Sequence, residues 1–181
     1  GTGNAAMGTT GVVHESEAAD LPNDTAAFAA TRRPTNHANH LPGYVYTSPE
    51  IFQREKEEIF LKDWLCVARA EEIAKPGDYM TLRIFGEPIV VTRNKNGELG
   101  AFANVCRHRG TRLVEGNEVQ CTKRLVCPYH AWTWDLEGNL KATPYFDGTP
   151  NSENFQVDRK KNSLVPVRCD VWNHVVFINL D

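Results

Sequence analysis

Two cysteine–histidine pairs constrain this chain more than any other feature: Cys106-Arg107-His108 and Cys127-Pro128-Tyr129-His130, with 18 residues (109–126) between them. Each pair offers one thiolate and one imidazole. Both ligand types suit iron and zinc, so ligand chemistry alone leaves two metals open. Spacing separates them. A zinc finger usually sets Cys with Cys and His with His along the chain, two to five residues apart. Here each short segment mixes the two types, and a single residue lies inside the first pair.

The rest of the chain supplies the frame. Residues 1–40, rich in Ala, Thr, Asn and Gly with little periodicity, predict a flexible or surface-draped N-terminal arm. Thr47-Ser48-Pro49-Glu50 reads as a helix start with Thr47 as N-cap, and Ile51, Phe52, Ile59 and Phe60 share one face of a helix over about 48–62. After Trp64 the pattern changes to short apolar, β-branched runs at 64–69, 79–85, 89–93, 99–105, 124–126, 131–135, 139–142, 164–169 and 174–180. Turn signals separate them, among them Lys75-Pro76-Gly77-Asp78, Phe85-Gly86-Glu87-Pro88 and Asn94-Lys95-Asn96-Gly97. The expected fold is mainly β: an antiparallel sandwich or small barrel over 41–181, with one N-terminal helix and two metal-binding loops.

Composition narrows the function classes. At 181 residues the chain is long enough for one domain with its own core, and a net charge of −3 gives no global basic field for nucleic acid. No stretch approaches 18 consecutive apolar residues, so no membrane span is expected. The first residues show no basic start followed by an apolar run, and Pro34 follows Arg32-Arg33 where an export signal needs apolar residues, so the expected compartment is the cytoplasm. Five cysteines, at 66, 106, 121, 127 and 169, argue against a disulfide framework. Cys66 and Cys169, in apolar runs, read as small buried thiols.

Two facing loops with these pairs can give both cysteines to one iron and both histidines to another, which is the Rieske arrangement of a 2Fe-2S cluster. The motifs Cys106-Arg107-His108-Arg109-Gly110 and Cys127-Pro128-Tyr129-His130-Ala131-Trp132 resemble those of the N-terminal domain of Rieske non-haem iron oxygenase α subunits, the ring-hydroxylating dioxygenase type. Leu61-Lys62-Asp63-Trp64, Pro76-Gly77-Asp78, Asn104 and Phe177-Ile178-Asn179-Leu180-Asp181 agree, and the resemblance covers about 40–181. It implies Cys106, His108, Cys127 and His130 as the cluster ligands, with His108 or His130 as the route for electrons leaving.

Departures from the respiratory-chain Rieske pattern carry information. Tyr129 stands where the second loop would hold an extra cysteine, Ala131-Trp132 follows His130, and Cys121 has no loop-two partner. Fewer hydroxyl donors predict a potential toward the low end of the Rieske range, roughly −150 mV. That suits electrons from a flavin or ferredoxin reductase and not quinol oxidation. Around the ligands, Arg109 and Arg112 bring positive charge, Gly110 permits a tight turn whose amides can face sulfide, and Trp132 can shield one side from water.

An oxygenase also needs a mononuclear iron, usually held by two histidines and a carboxylate. In the family resembled, that site lies in a larger C-terminal catalytic domain. After His130 only His174 remains here, so the catalytic domain is expected to be absent from these 181 residues. The expected role is electron relay from a reductase to the catalytic domain of its own or a neighbouring subunit. The oxygenase so served would hydroxylate an aromatic acid, aromatic hydrocarbon or alkylammonium compound, and the full-length protein would be a homo-oligomer. The alternatives are a stand-alone Rieske-type ferredoxin serving a separate oxygenase, and a structural zinc protein. Colour decides the metal: the purified protein is expected to be red-brown, with about two irons and two acid-labile sulfides per chain. A colourless protein holding one zinc would end the Rieske reading.

Overall fold

The computed structural model describes residues 25–116, 119–144, 146 and 157–181. The chain divides at Arg54–Glu55 into two units. Much of the expected arm, residues 1–24, lies outside the described residues. From there the first unit contains 3₁₀ turns at Thr25–Phe28, Thr35–His37 and Gly43–Tyr46, then the helix α1 (Pro49–Glu55). Its N-cap is Ser48 and not Thr47: the Ser48 Oγ accepts the Ile51 N–H at 3.3 Å, while the hydroxyl donates to Glu50. That hydroxyl holds the exposed Glu50 carboxyl below its ordinary value. The expected helix over 48–62 is α-helical only to Glu55. Residues Lys56–Phe60 wind as a π-turn, with Leu61 N–H donating to Lys56 O.

Among the described residues the second unit holds ten strands: β1 (Leu65–Arg69), β2 (Asp78–Ile84), β3 (Glu87–Arg93), β4 (Leu99–Ala103), β5 (Gln120–Cys121), β6 (Leu125–Val126), β7 (Thr133–Trp134), β8 (Leu140–Ala142), β9 (Pro166–Trp172) and β10 (Val175–Asn179). Seven form an antiparallel sheet in the order β1-β10-β9-β4-β3-β2-β5, and three form a small sheet, β6-β7-β8. Two-residue turns set the register of the long hairpins. Ile84 faces Glu87 across Phe85-Gly86, and Trp172 faces Val175 across Asn173-His174. All four turn residues have positive φ, as a turn matching the right-handed twist of the strands requires. His174 therefore belongs to this turn and does not open the last strand. Asn94 shapes the β3–β4 turn, its side-chain oxygen accepting from the Asn96 and Glu98 amides.

Two cores lie on opposite faces of β3 and β4. Because successive side chains on a strand point opposite ways, Ile89, Val91 and Ala101 join Ile73, Val176 and Ile178 in one core. Val90 and Phe102 join Trp134, Leu125, Leu140 and both motif cysteines, Cys106 and Cys127, in the other. A strand buried on both faces reads as a continuous apolar run, as Pro88-Ile89-Val90-Val91 does. The metal loops thus grow out of the second core. Of the two cysteines expected to be buried, Cys66 is exposed. Cys169 is partly covered, and that burial, with the Asp170 charge, pushes its thiol up to about 11. Among the described residues no helix is long and apolar enough to cross a membrane.

Trp134 anchors the core beneath the loops, fully buried with its Nε1–H on Asn162 O at 2.9 Å. Trp134→Ala is expected to cost roughly 3–5 kcal/mol in denaturant unfolding. A loss below 1 kcal/mol would mean that this core does not depend on it.

Candidate metal centre

Loop one leaves the end of β4. The Asn104 N–H donates to Pro88 O at 2.8 Å, and Val105 bridges to Arg112. Within the loop, Cys106 N–H donates to Thr111 O (2.8 Å) and Gly110 N–H to Cys106 O (3.0 Å). Loop two, between β6 and β7, closes the same way: Cys127 N–H donates to Trp132 O (2.8 Å) and Ala131 N–H to Cys127 O (3.0 Å). The residue four after each cysteine is left-handed, Gly110 at φ +73° and Ala131 at φ +54°. Glycine takes that conformation freely, whereas alanine there costs about 1–2 kcal/mol. The Thr133 hydroxyl donates to Ala131 O at 2.9 Å and helps to hold it.

The loops bring the four candidate ligands together. Cys106 and Cys127 are nearly inaccessible, and their thiols are in hydrogen-bonding contact. The His108 and His130 rings lie 4.9 Å apart, centre to centre, at 67°. Burial is the main cause raising the Cys106 thiol above its usual range, although the His108 and Arg109 amides donate to its sulfur and oppose the shift. Gly110 makes the tight turn expected of it, and its own N–H is used on Cys106 O. Burial, followed by His130 and Arg109, lowers His108 and favours the neutral imidazole that metals bind.

Both Nδ1 atoms, of His108 and of His130, are buried without a hydrogen-bond partner, and so is Trp132 Nε1. Buried polar atoms nearly always have partners, so two orphan nitrogens on neighbouring rings, in loops that also bury two thiols, fit a metal group. Among the described residues no three His, Cys, Asp or Glu side chains are grouped so as to hold a single metal ion. The donor set itself, two thiols and two imidazoles, has the chemistry of a two-iron cluster with one thiolate pair and one imidazole pair.

Aromatic rings enclose the histidines. Trp132 lies parallel to His108 at 4.7 Å and 7°, Tyr129 lies 3.7 Å from His130, and Phe146 stands 6.2 Å from His108. Trp132 is buried, whereas Tyr129 is 59% exposed, and Arg109 and Arg112 reach the surface. Sequence reasoning passed over the role of Asn104, which is 1% exposed: its Nδ2 donates to Val114 O (2.8 Å) and its Oδ1 accepts from Val114 N–H (3.1 Å). A polar residue at the end of the apolar run 99–105 was the available signal.

The Rieske [2Fe-2S] domain matches residues 63–155. This chain belongs to that family. It is 43% identical over 140 residues to the carnitine monooxygenase oxygenase subunit of Acinetobacter pittii, covering 77% of this chain and 36% of that protein. It is 34% identical to the benzene 1,2-dioxygenase α subunit of Pseudomonas putida, covering 80% and 31%. Among solved structures, a quaternary ammonium Rieske monooxygenase, described for carnitine oxidation and inter-subunit electron transfer, superposes with a TM-score of 0.67 at 43% identity, covering 77% and 37%. The chain thus spans about a third of the length of the curated relatives it matches, and it corresponds to the Rieske part of oxygenase subunits. The cofactor of this domain is a 2Fe-2S cluster.

Asn104→Ala strands both polar groups of Val114 and is expected to cost about 1–3 kcal/mol. Denaturant unfolding and the iron content after purification check it. Unchanged stability together with full iron content would remove Asn104 as the clamp of loop one.

Proposed function

We propose that Cys106, His108, Cys127 and His130 hold the cluster, and that residues 41–181 form one relay domain passing electrons from a reductase to the mononuclear iron of an oxygenase. Two orphan, buried Nδ1 atoms on rings 4.9 Å apart, in the same loops as two buried thiols, carry this reading. Bound there, the cluster supplies one-electron transfer at low potential. The chain's own part is to hold and shield. The thiols are kept from water by the second core, and Trp132 fixes the His108 ring through its parallel face. Tyr129 covers one side of His130 while remaining exposed itself. Arg109 adds positive charge that favours the reduced state, with Arg112 at the surface nearby in sequence. Electrons would leave through His108 or His130, toward a catalytic domain of the same or a neighbouring subunit in a homo-oligomer.

Of the substrate classes left open by the sequence, the higher identity to a carnitine relative than to a benzene relative supports an alkylammonium substrate over an aromatic one. The same relatives are oxygenase subunits, which favours a domain of such a subunit over a stand-alone ferredoxin.

Grafting decides both points. Residues 41–181 would replace the matching segment of the carnitine monooxygenase oxygenase subunit and, separately, of the benzene dioxygenase α subunit. Substrate-dependent oxygen uptake is expected in the carnitine chimera, at a higher rate than in the benzene one. Cys106→Ala or Cys127→Ala in the graft is expected to abolish both iron binding and uptake, since a methyl group cannot ligate iron. Native visible spectra in both cysteine variants would overturn the ligand assignment, and preferential benzene-dependent uptake would show a relay domain matched to the aromatic enzymes and remove the support for an alkylammonium substrate.

A further inference from the structure

Beside the metal loops lies a cleft of about 450 Å³ that the relay reading leaves unused. Its floor is Phe102 of β4, against which the backbone of Gly138 packs so closely that a Cβ there would lie 2.5 Å from the ring. Its rim carries Arg107, Lys160 and Lys161, and among the described lining residues Glu137 alone is acidic. Arg107 stands between two of the proposed ligands, Cys106 and His108, and all three cations are exposed. None of them is in an ion pair among the described residues, whereas Lys62, Arg69, Lys141 and Arg168 all are. The excess of positive charge here contrasts with the net −3 of the whole chain.

The backbone that carries the two lysines is held in place. Asp158 Oδ1 accepts the Lys161 N–H at 3.0 Å, and Asp158 O accepts from Asn162 Nδ2 at 2.9 Å. The Ser163 hydroxyl donates to Arg159 O at 3.0 Å. The turn is tied to the core by Trp134 Nε1–H on Asn162 O, and Leu164 N–H donates to Gly138 O at 2.8 Å. A basic rim on a rigid turn beside a redox centre is suited to orienting a charged protein partner, because complementary charge raises association rates and fixes register.

We infer that this cleft docks the acidic face of the one-electron donor protein, placing that donor's redox centre next to loop one. The inference rests on the relay reading and names its partner surface. In the docked pair one electron leaves the donor's reduced centre and one ferric iron of the cluster becomes ferrous, with no bond made or broken. Lys160 and Lys161 do not touch the cluster; they position the donor.

The test uses oxidised plant-type ferredoxin, an acidic one-electron carrier, as the binding probe, titrated calorimetrically into the cluster-loaded chain. Binding is expected at 10 mM ionic strength. It should weaken at least tenfold at 150 mM, as the screening length falls from about 30 to about 8 Å. Lys160→Glu/Lys161→Glu should weaken binding at 10 mM at least tenfold and slow reduction by photoreduced ferredoxin to match. Reduction by dithionite and the visible spectrum should stay unchanged. Lys75→Glu/Arg83→Glu, the same change in net charge placed outside the cleft, should bind within about twofold of wild type.

Equal weakening by the two double variants would overturn the cleft and leave only a general charge effect. Loss of binding in phosphate, beyond that in potassium chloride of matched ionic strength, would mark a small-anion site and also overturn the proposal. Absence of ferredoxin binding in a chain with a normal cluster spectrum would sink the docking surface and leave the relay reading standing. Absence of the cluster itself would sink the relay reading and be seen before any titration.

Discussion

Two thiols and two imidazole nitrogens removed from water within two neighbouring loops form an arrangement that a polypeptide alone does not favour. Burial raises the Cys106 thiol and lowers His108, so in isolation the site favours neutral, protonated sulfur and uncharged imidazole. A metal group bound there would change that balance, because it would hold thiolate and accept the imidazole lone pairs. The desolvation that otherwise costs the loops would then strengthen each such interaction. The surrounding structure follows from keeping these four atoms dry and fixed.

The strands do this by carrying two cores at once. Alternation along β3 and β4 sends Ile89, Val91 and Ala101 to one side and Val90 and Phe102 to the other. One core ties the long hairpins together, and the other forms the base on which both loops stand. Local hydrogen bonds then set loop geometry, with Asn104 locking loop one to the segment that follows it. Trp132 continues the packing outward from the core to the face of His108.

Much of this was legible in the residues. The double motif pointed to the two loops whose thiols and imidazoles the structure places in one region, and nine of the ten strands among the described residues coincide with apolar runs. The exception, β5, is two exposed residues, Gln120 and Cys121, whose pairing with β2 is a tertiary event that no periodicity announces. The helix start slipped by one residue because Thr47 and Ser48 are both good caps and only geometry chooses between them. Cys66 looked buried because its neighbours are apolar, but β1 is an edge strand and its alternation points that thiol outward. Ring stacking on His108 and the buried Nδ1 atoms depend on how two loops far apart in sequence face each other, which sequence spacing does not encode.

The two loops share one hydrogen-bond scheme but differ in a single left-handed residue, glycine in the first and alanine in the second. Loop one makes its turn without backbone strain and is clamped by Asn104. Loop two holds Ala131 in a conformation its side chain resists, at about 1–2 kcal/mol, and the Thr133 hydroxyl on Ala131 O is one contact that offsets it. The second loop therefore stores strain that the first does not, and a glycine at position 131 would release it.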